Sequence, residues 1–112
     1  MSGSDNKKKN LKKLQISKRV VVHGAVQGVG FRYSMCGQAE SLGVTGWVRN
    51  RGDGTVEAVV HGDPVHVDEM IAWVKKGPSG AQVTDVEISD GEGEFNDFSI
   101  DASLDESPRR KD

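Results

Sequence analysis

The chain has 112 residues, of which 35% are hydrophobic and 29% charged, and its formal net charge at pH 7 is −2. This length fits one domain with a single core, and the charge argues against a nucleic-acid-binding domain, which is usually basic. The single cysteine, Cys36, excludes an internal disulfide and a zinc site built on paired thiolates. No apolar run follows the N-terminal lysines or could span a bilayer, so we expect a cytoplasmic protein without membrane association.

Polar residues are concentrated at the two ends of the chain. Residues 1–17 include five lysines, and residues 102–112 alternate acidic and basic side chains around Pro108. Such segments bury too little apolar surface to offset the entropy lost on ordering. We therefore predict a Lys-rich tail over 1–17, one folded domain over 18–101 and a charged tail over 102–112. The Lys-rich tail is interpreted as a solubilising segment, with a binding arm for an acidic partner as the alternative.

The first half of the domain predicts a strand, a glycine-rich loop, a helix and a second strand. The β-branched run at Val20–Val22 predicts a strand over 18–23. Apolar residues then recur at helical spacing, and Gly43 suits the end of that helix. The helix face consists of Phe31, Met35, Ala39 and Leu42. Residues 44–50 predict the second strand.

The second half of the domain predicts a hairpin, a helix and two further strands. Asp53-Gly54 is typical of a hairpin turn, Asp63-Pro64 of a helix start, and Gly77-Pro78 of a helix end. The remaining strands are predicted at 56–61, 81–89 and 98–100. The order β-α-β-β-α-β, with an extra short strand, predicts an α/β (α+β) sandwich of the ferredoxin-like split βαβ type. It has a mostly antiparallel sheet of four to five strands with two helices on one face.

The loop before the first helix is the candidate functional segment. Its glycines at 24, 28 and 30 permit conformations in which successive N–H groups point to one spot and cradle an anion. The helix that starts near Phe31 adds free N–H groups and the positive end of its dipole. No Ser, Thr, Asp or Asn caps this helix, and Arg32 lies in its first turn, where the dipole disfavours a cation. A bound phosphate would satisfy these donors and pair with the guanidinium.

Two common phosphate loops do not fit this segment. A P-loop would end in Gly-Lys-Ser/Thr, whereas this loop ends in Gly30-Phe31-Arg32, and the dinucleotide fingerprint needs a glycine where Tyr33 stands. On the loop residues alone, a flexible turn followed by a helix whose arginine points into water remains an equal alternative.

Two motifs together resemble the acylphosphatase family. The first is Gly24-Ala25-Val26-Gln27-Gly28-Val29-Gly30-Phe31-Arg32, and the second is Gly46-Trp47-Val48-Arg49-Asn50. The segments 53–57 and 77–78 also fall where similar sequences have their hairpin and the end of their second helix, so the resemblance spans 18–100. It implies the ferredoxin-like fold and the hydrolysis of an acyl phosphate to a carboxylate and inorganic phosphate.

The resemblance also implies the catalytic residues, Arg32 and Asn50. Arg32 would hold the phosphate, and Asn50 would orient the attacking water, which an amide can do because it carries both an acceptor and donors. Without the resemblance, Asn50 would be interpreted as a turn residue. The substrate phosphate-binding loop would consist of Gly24, Ala25, Val26, Gln27, Gly28, Val29, Gly30 and Phe31. No metal and no cofactor is implied.

The expected partners are small molecules, an acyl phosphate substrate and the inorganic phosphate product. We expect no nucleic-acid partner, and we expect a monomer. The motifs mark no site for the acyl group and no protein group as general base. His23 is a conceivable base, but a packing or surface role is favoured, and His61 and His66 are interpreted as surface residues. Cys36 is interpreted as a buried structural thiol.

Three other functions are alternatives at this stage. A non-enzymatic anion-binding or regulatory module could use the same fold. An RNA-binding domain shares this element order, but aromatic residues are only 5% of the chain and no strand carries the Lys/Arg-Gly-Phe pattern used for base stacking. The acylphosphatase-like module of larger hydrogenase-maturation proteins would be accompanied by cysteine pairs, which this sequence lacks.

Overall fold

The computed structural model describes residues 14–103, which form five strands and two helices. The strands are β1 (Ile16–Ala25), β2 (Thr45–Asn50), β3 (Val56–Gly62), β4 (Gln82–Asp90) and β5 (Phe98–Ile100), and the helices are α1 (Phe31–Leu42) and α2 (Pro64–Lys76). The strand order is β4-β1-β3-β2-β5, with every neighbouring pair antiparallel except the parallel pair β2 and β5. The predicted split βαβ sandwich is confirmed, with five strands.

The first strand is longer than the valine run predicted. It begins at Ile16 and ends at Ala25, so the last two residues of the predicted Lys-rich tail belong to β1. The backbone carbonyl of Ser17 accepts a hydrogen bond from Gly91 N at 3.0 Å. The rest of that tail, up to residue 13, and the C-terminal segment from residue 104 lie outside the described residues.

One face of the sheet packs against both helices and forms the core. Alternate residues of β1 and β3 point to this face, because side chains alternate along a strand. The strand and helix residues with no exposed surface include Val20, Val22, Val56, Ala58, Val60, Met35, Ala39, Val67, Met70 and Val74. The rings of Phe31 and Trp73 meet edge to face, with centroids 5.7 Å apart, and join the two helices.

The two helices begin in different ways, and the difference matters for function. At α2, the carboxylate of Asp63 accepts the backbone N–H of His66 at 3.0 Å and caps the helix, which also holds the pKa of Asp63 below its usual range. Helix α1 follows Gly30, which has a left-handed conformation, and no side chain in the described part of the chain caps this helix. The N–H groups at the start of α1 therefore remain available to a ligand.

The opposite face of the sheet carries a buried carboxylate between two arginines. Glu57 is 5% exposed, and its oxygens accept hydrogen bonds from Arg19 Nε at 2.8 Å and Arg49 Nε at 2.9 Å. Burial raises the pKa of Glu57, but the hydrogen bonds from the two arginines outweigh it, so the pKa is lowered. The Arg49 guanidinium also lies over the Trp47 ring, 4.9 Å from its centroid.

Strand directions bring the two sequence motifs together. Because β1 and β2 both run antiparallel to β3, they share a direction, and their C-terminal ends lie at the same edge of the sheet. The start of α1 joins them there. At the other end of the sheet, His61 Nδ1 is 2.6 Å from Ser17 Oγ and the His61 ring meets Phe95 edge to face, so His61 is half-buried rather than at the surface as predicted.

Neither helix in the described part of the chain has both the length and the apolar character needed to cross a bilayer.

Candidate active site

A cavity of about 340 Å³ opens at the sheet edge where β1, β2 and α1 meet. Its lining residues are Val26, Gly28, Gly30, Phe31, Arg32, Tyr33, Asn50 and Ile100. The structure thus brings Arg32 and Asn50, which are distant in sequence, to one cavity. Of the eight residues predicted for the phosphate-binding loop, four line it: Val26, Gly28, Gly30 and Phe31.

The loop presents backbone donors to this cavity. Gly28 and Gly30 have φ angles of 78° and 77°, a left-handed region that side chains other than glycine rarely adopt. Ser34 is the first residue of α1 whose backbone N–H has a hydrogen-bond acceptor, and it donates to Gly30 O at 3.0 Å. Within the described chain, the backbone N–H groups from Gly28 to Tyr33 have no backbone acceptor, and no side chain caps the helix. Unpaired backbone donors in succession beside a helix N-terminus are typical of an anion-binding site.

Arg32 is the arginine whose charge is not used elsewhere in the described fold. Four arginines lie between residues 14 and 103. Three of them have a carboxylate within 4.0 Å: Arg19 and Arg49 pair with Glu57, and Arg51 lies 3.8 Å from Asp53. No described carboxylate lies within that distance of Arg32, and its side chain lines the cavity. Its guanidinium is therefore available for a two-pronged contact with a phosphate.

Asn50 brings a buried acceptor without a donor to the same cavity. Its Oδ1 atom is the only buried side-chain nitrogen or oxygen among the described residues that lacks a hydrogen-bond partner. Leaving such an atom unpaired costs about 1–3 kcal/mol. An unpaired buried acceptor of this kind calls for an explanation and marks Asn50 as a candidate functional residue.

Gln27 does not line the cavity but fixes the loop to the hairpin that follows Asn50. Its Nε2 donates to the carbonyls of Arg51 at 2.8 Å and Thr55 at 2.9 Å. The hairpin is itself fixed by Asp53, whose Oδ1 accepts from Thr55 N at 3.0 Å and Thr55 Oγ1 at 2.6 Å. The hydrogen bond from the Thr55 hydroxyl is the main cause of the lowered pKa of Asp53. Gln27 thus ties the two motifs together.

The first glycine of the motif serves the sheet and not the cavity. Gly24 lies within β1, where the pairing with β4 shifts register after His23. A Cβ atom there would lie 2.0 Å from the carbonyl oxygen of Gln82, so only glycine permits this approach of the two strands. Ala25, the last residue of β1, also lies outside the cavity lining, as does Val29.

Two lining residues were not expected from the sequence, Tyr33 and Ile100. Tyr33 directly follows Arg32 on α1, and Ile100 ends β5. Tyr33 carried a signal that could have been used, because it is an aromatic residue at a non-core position of a predicted helix. Ile100 carried none, because its place beside the cavity depends on the parallel pairing of β5 with β2.

No histidine of the described chain lines the cavity, and no group of three or more His, Cys, Asp or Glu side chains there could hold a metal ion. His23 Nε2 lies 2.6 Å from Glu87 Oε2. His66 Nδ1 lies 2.8 Å from Asp63 Oδ2 at the start of α2. Cys36 is half-buried against the core, and burial raises the pKa of its thiol, which fits a structural role.

Comparison with known proteins identifies the family. The family model described as Acylphosphatase matches residues 18–100. The chain belongs to the acylphosphatase family. The acylphosphatase of Albidiferax ferrireducens is 49% identical over 85 residues, which cover 76% of this chain and 92% of that protein. The family expected from the two motifs is confirmed, and with it the acylphosphatase activity.

Two solved structures show the same fold as this chain. The acylphosphatase of Coxiella burnetii superposes with a TM-score of 0.76 at 36% identity, covering 80% of this chain and 95% of that one. HypF of T. kodakarensis gives a TM-score of 0.68 at 29% identity, and the match covers 81% of this chain but 12% of that one. The acylphosphatase fold therefore also occurs within a much longer chain, while the Coxiella burnetii protein is matched over nearly all of its length.

Proposed function

We propose that the cavity at the ends of β1 and β2 is the active site, and that it hydrolyses acyl phosphates with two side chains and the loop backbone. The loop N–H groups and the Arg32 guanidinium hold the phosphoryl oxygens. Asn50 holds the water that attacks phosphorus. The observation that carries this proposal is that two residues of the described chain line one cavity beside the unpaired backbone donors of the loop: Arg32, whose guanidinium has no described carboxylate partner, and Asn50, whose buried Oδ1 has no described donor.

The reaction needs charge control and positioning more than proton transfer by the protein. The leaving group is a carboxylate of low basicity, so departure requires no strong general acid. Donors fixed around the phosphoryl oxygens stabilise charge as the bond to the acyl oxygen loosens, and a water fixed in line gains the advantage of proximity. The Asn50 amide orients the water by hydrogen bonding. The proton released on attack passes to the phosphate of the substrate, since no Asp, Glu or His of residues 14–103 lines the cavity.

The direct test of the activity is hydrolysis of benzoyl phosphate by the purified chain, followed by loss of the acyl phosphate. Arg32→Lys should lower kcat/KM by about 10³ or more, because an ammonium cannot reproduce the two-pronged contact. The matched control is Arg19→Lys, which makes the same change on the helix-free face of the sheet. Full activity of Arg32→Lys, or equal losses in both variants, would contradict the proposed role of Arg32.

A non-enzymatic anion-binding module would use the same cradle, and the two functions differ in a simple observation. Both predict that inorganic phosphate binds and raises the melting temperature, since a ligand of the folded state stabilises it. Only an enzyme hydrolyses benzoyl phosphate, and inorganic phosphate then inhibits this hydrolysis competitively. We expect turnover with competitive inhibition by phosphate at millimolar concentrations, unchanged by a metal chelator.

We also propose that the protein is a cytoplasmic monomer without a nucleic-acid partner. Support for the monomer comes from the described surface, where the exposed large apolar side chains, Leu14, Tyr33, Val65, Ile88 and Ile100, are few. Stable dimers usually bury a larger continuous apolar area. The free thiol of Cys36 fits a reducing compartment. Sedimentation velocity at micromolar concentration tests the oligomeric state.

A further inference from the structure

The outer part of the cavity carries apolar surface that the phosphate does not need. Of the exposed large apolar side chains in the described chain, two line this cavity: Tyr33, 79% exposed, and Ile100, 38% exposed. They come from different elements, the first turn of α1 and the end of β5. Both lie in the same cavity as Arg32 and Asn50, which places an apolar rim next to the proposed phosphate site.

Both side chains are attached to fixed backbone. Tyr33 immediately follows Arg32, so it is positioned by the same helical turn as the guanidinium. Ile100 is paired with Val48 in the parallel ladder, and the next residue, Asp101, donates its N–H to Val48 O at 2.9 Å. The rim is therefore presented by the sheet and the helix, and it does not depend on a mobile loop.

Charge around the cavity also limits what can bind beside the phosphate. Among the described residues that line the cavity, Arg32 is the only charged one, and the phosphoryl group uses it. An acyl group with a distal carboxylate or ammonium would lose hydration at this rim without gaining a partner. An apolar acyl group would instead gain from covering Tyr33 and Ile100.

We propose that Tyr33 and Ile100 form the acyl subsite and make the enzyme select acyl phosphates with an apolar, preferably aromatic, acyl group. This inference rests on the proposed phosphate site, because the position of the acyl group follows from that of the phosphoryl group. The ring of an aromatic acyl group packs against the Tyr33 ring and the Ile100 side chain, while Arg32 and Asn50 act on the phosphoryl group alone.

The experiment compares kcat/KM for three substrates: benzoyl phosphate, acetyl phosphate and succinyl phosphate, which carries a distal carboxylate. The parent enzyme should prefer benzoyl phosphate. Tyr33→Ala and Ile100→Ala should each lower the benzoyl-to-acetyl ratio by about 5- to 10-fold, the scale of losing part of an apolar contact. Ile88→Ala is the matched control, because it truncates an exposed isoleucine on β4, outside the cavity, and it should leave the ratio as in the parent.

A positive charge introduced at the rim should increase the relative activity on succinyl phosphate, a gain that damage to the fold could not produce. Ile100→Lys should raise the succinyl-to-benzoyl ratio by about 10-fold or more, since the ammonium would pair with the distal carboxylate. Ile88→Lys, which adds the same charge outside the cavity, should not. The inhibition constant of inorganic phosphate for Tyr33→Ala should stay within about twofold of the parent, because phosphate does not reach the rim.

The outcomes separate this inference from the proposed function. If the benzoyl-to-acetyl ratio stays within twofold of the parent in both alanine variants while Arg32→Lys is inactive, the acyl subsite is wrong and the phosphate site stands. If phosphate inhibition weakens as much as the ratio falls, the variants have disturbed the cradle, and the acyl subsite is overturned. If Arg32→Lys keeps full activity, the proposed function fails whatever the ratios show.

Discussion

The side-chain amide of Gln27 donates to the backbone carbonyl of Thr55 at 2.9 Å, across the gap between the phosphate loop and the β2–β3 hairpin. The same nitrogen reaches the carbonyl of Arg51 at 2.8 Å. These two bonds set the distance between the loop that presents Arg32 and the strand that presents Asn50. Gln27 is therefore a positioning residue: it touches neither the proposed phosphate nor the proposed water.

Gln27→Ala should damage positioning and stability together. The variant loses both hydrogen bonds, while the two carbonyls keep their backbone donors, Arg51 N on Thr55 O and Gly54 N on Arg51 O. We expect the free energy of unfolding to fall by about 1–3 kcal/mol, since each lost hydrogen bond contributes about 0.5–1.5 kcal/mol. We expect kcat to fall by about 10², the scale of a displacement of about 1 Å between reacting groups. The free energy of unfolding is measured by urea denaturation. Steady-state kinetics are measured without urea, at a temperature where the variant is fully folded. Gln82→Ala, on the exposed strand β4, is the matched control, and an equal fall in its kcat would count against this role of Gln27.

Glu57 should make stability depend on acid pH. Its pKa in the folded protein is below its usual value of 4.5, because the hydrogen bonds from Arg19 and Arg49 outweigh the effect of burial. Because the pKa is lower in the folded than in the unfolded protein, ionised Glu57 contributes to the free energy of unfolding. This contribution is fully present above about pH 4.5 and is lost as pH falls through the folded pKa. Glu57→Gln should therefore be destabilised at pH 7 by about 2 kcal/mol. This loss is smaller than the one caused by removing one partner of a fully buried ion pair, because both arginines are partly exposed.

The difference in unfolding free energy between the parent and Glu57→Gln should shrink as pH falls from 7 to 3. Glu87→Gln provides the control, since that carboxylate lies on an exposed strand and should contribute little at any pH. If the difference in unfolding free energy between the parent and Glu57→Gln is as large at pH 3 as at pH 7, Glu57 stabilises the fold through packing and not through its charge.

The hydrolysis rate should vary little between pH 5 and 8 apart from ionisation of the substrate. A guanidinium and an amide do not titrate in this range, and no histidine or carboxylate between residues 14 and 103 lines the cavity. The check is a pH profile of kcat/KM for the parent and for His23→Gln. A rate that rises steeply near pH 6.5 in the parent and loses this step in His23→Gln would identify a general base in the protein.

Patterns within single elements were predictable from the sequence. The face formed by Phe31 and Met35 and the stop at Gly43 give the observed helix α1, because both signals are local. The two motifs gave the family and, with it, the two side chains that the structure places in one cavity. Their roles in catalysis stay predictions.

Features that depend on pairing between distant segments were not predictable. Gln27 bonds to carbonyls 24 and 28 residues away, and backbone acceptors leave no mark in a sequence. Ile100 reaches the cavity because β5 pairs in parallel with β2, which the order of the elements alone did not specify. His61 is half-buried for the same kind of reason, since Ser17 and Phe95 reach it from other parts of the chain.

In the proposed division of labour, Arg32 binds the phosphate and Asn50 binds the water. Calorimetry of inorganic phosphate binding to Asn50→Ala, read beside its steady-state rate, tests it most directly. We predict phosphate affinity within about twofold of the parent and a kcat lowered by about 10³, the pattern of an interaction used on the way to the transition state. Asn96→Ala, at the opposite end of the sheet, should match the parent in both. A parental kcat for Asn50→Ala, or a loss of phosphate affinity as large as that of Arg32→Ala, would contradict the claim.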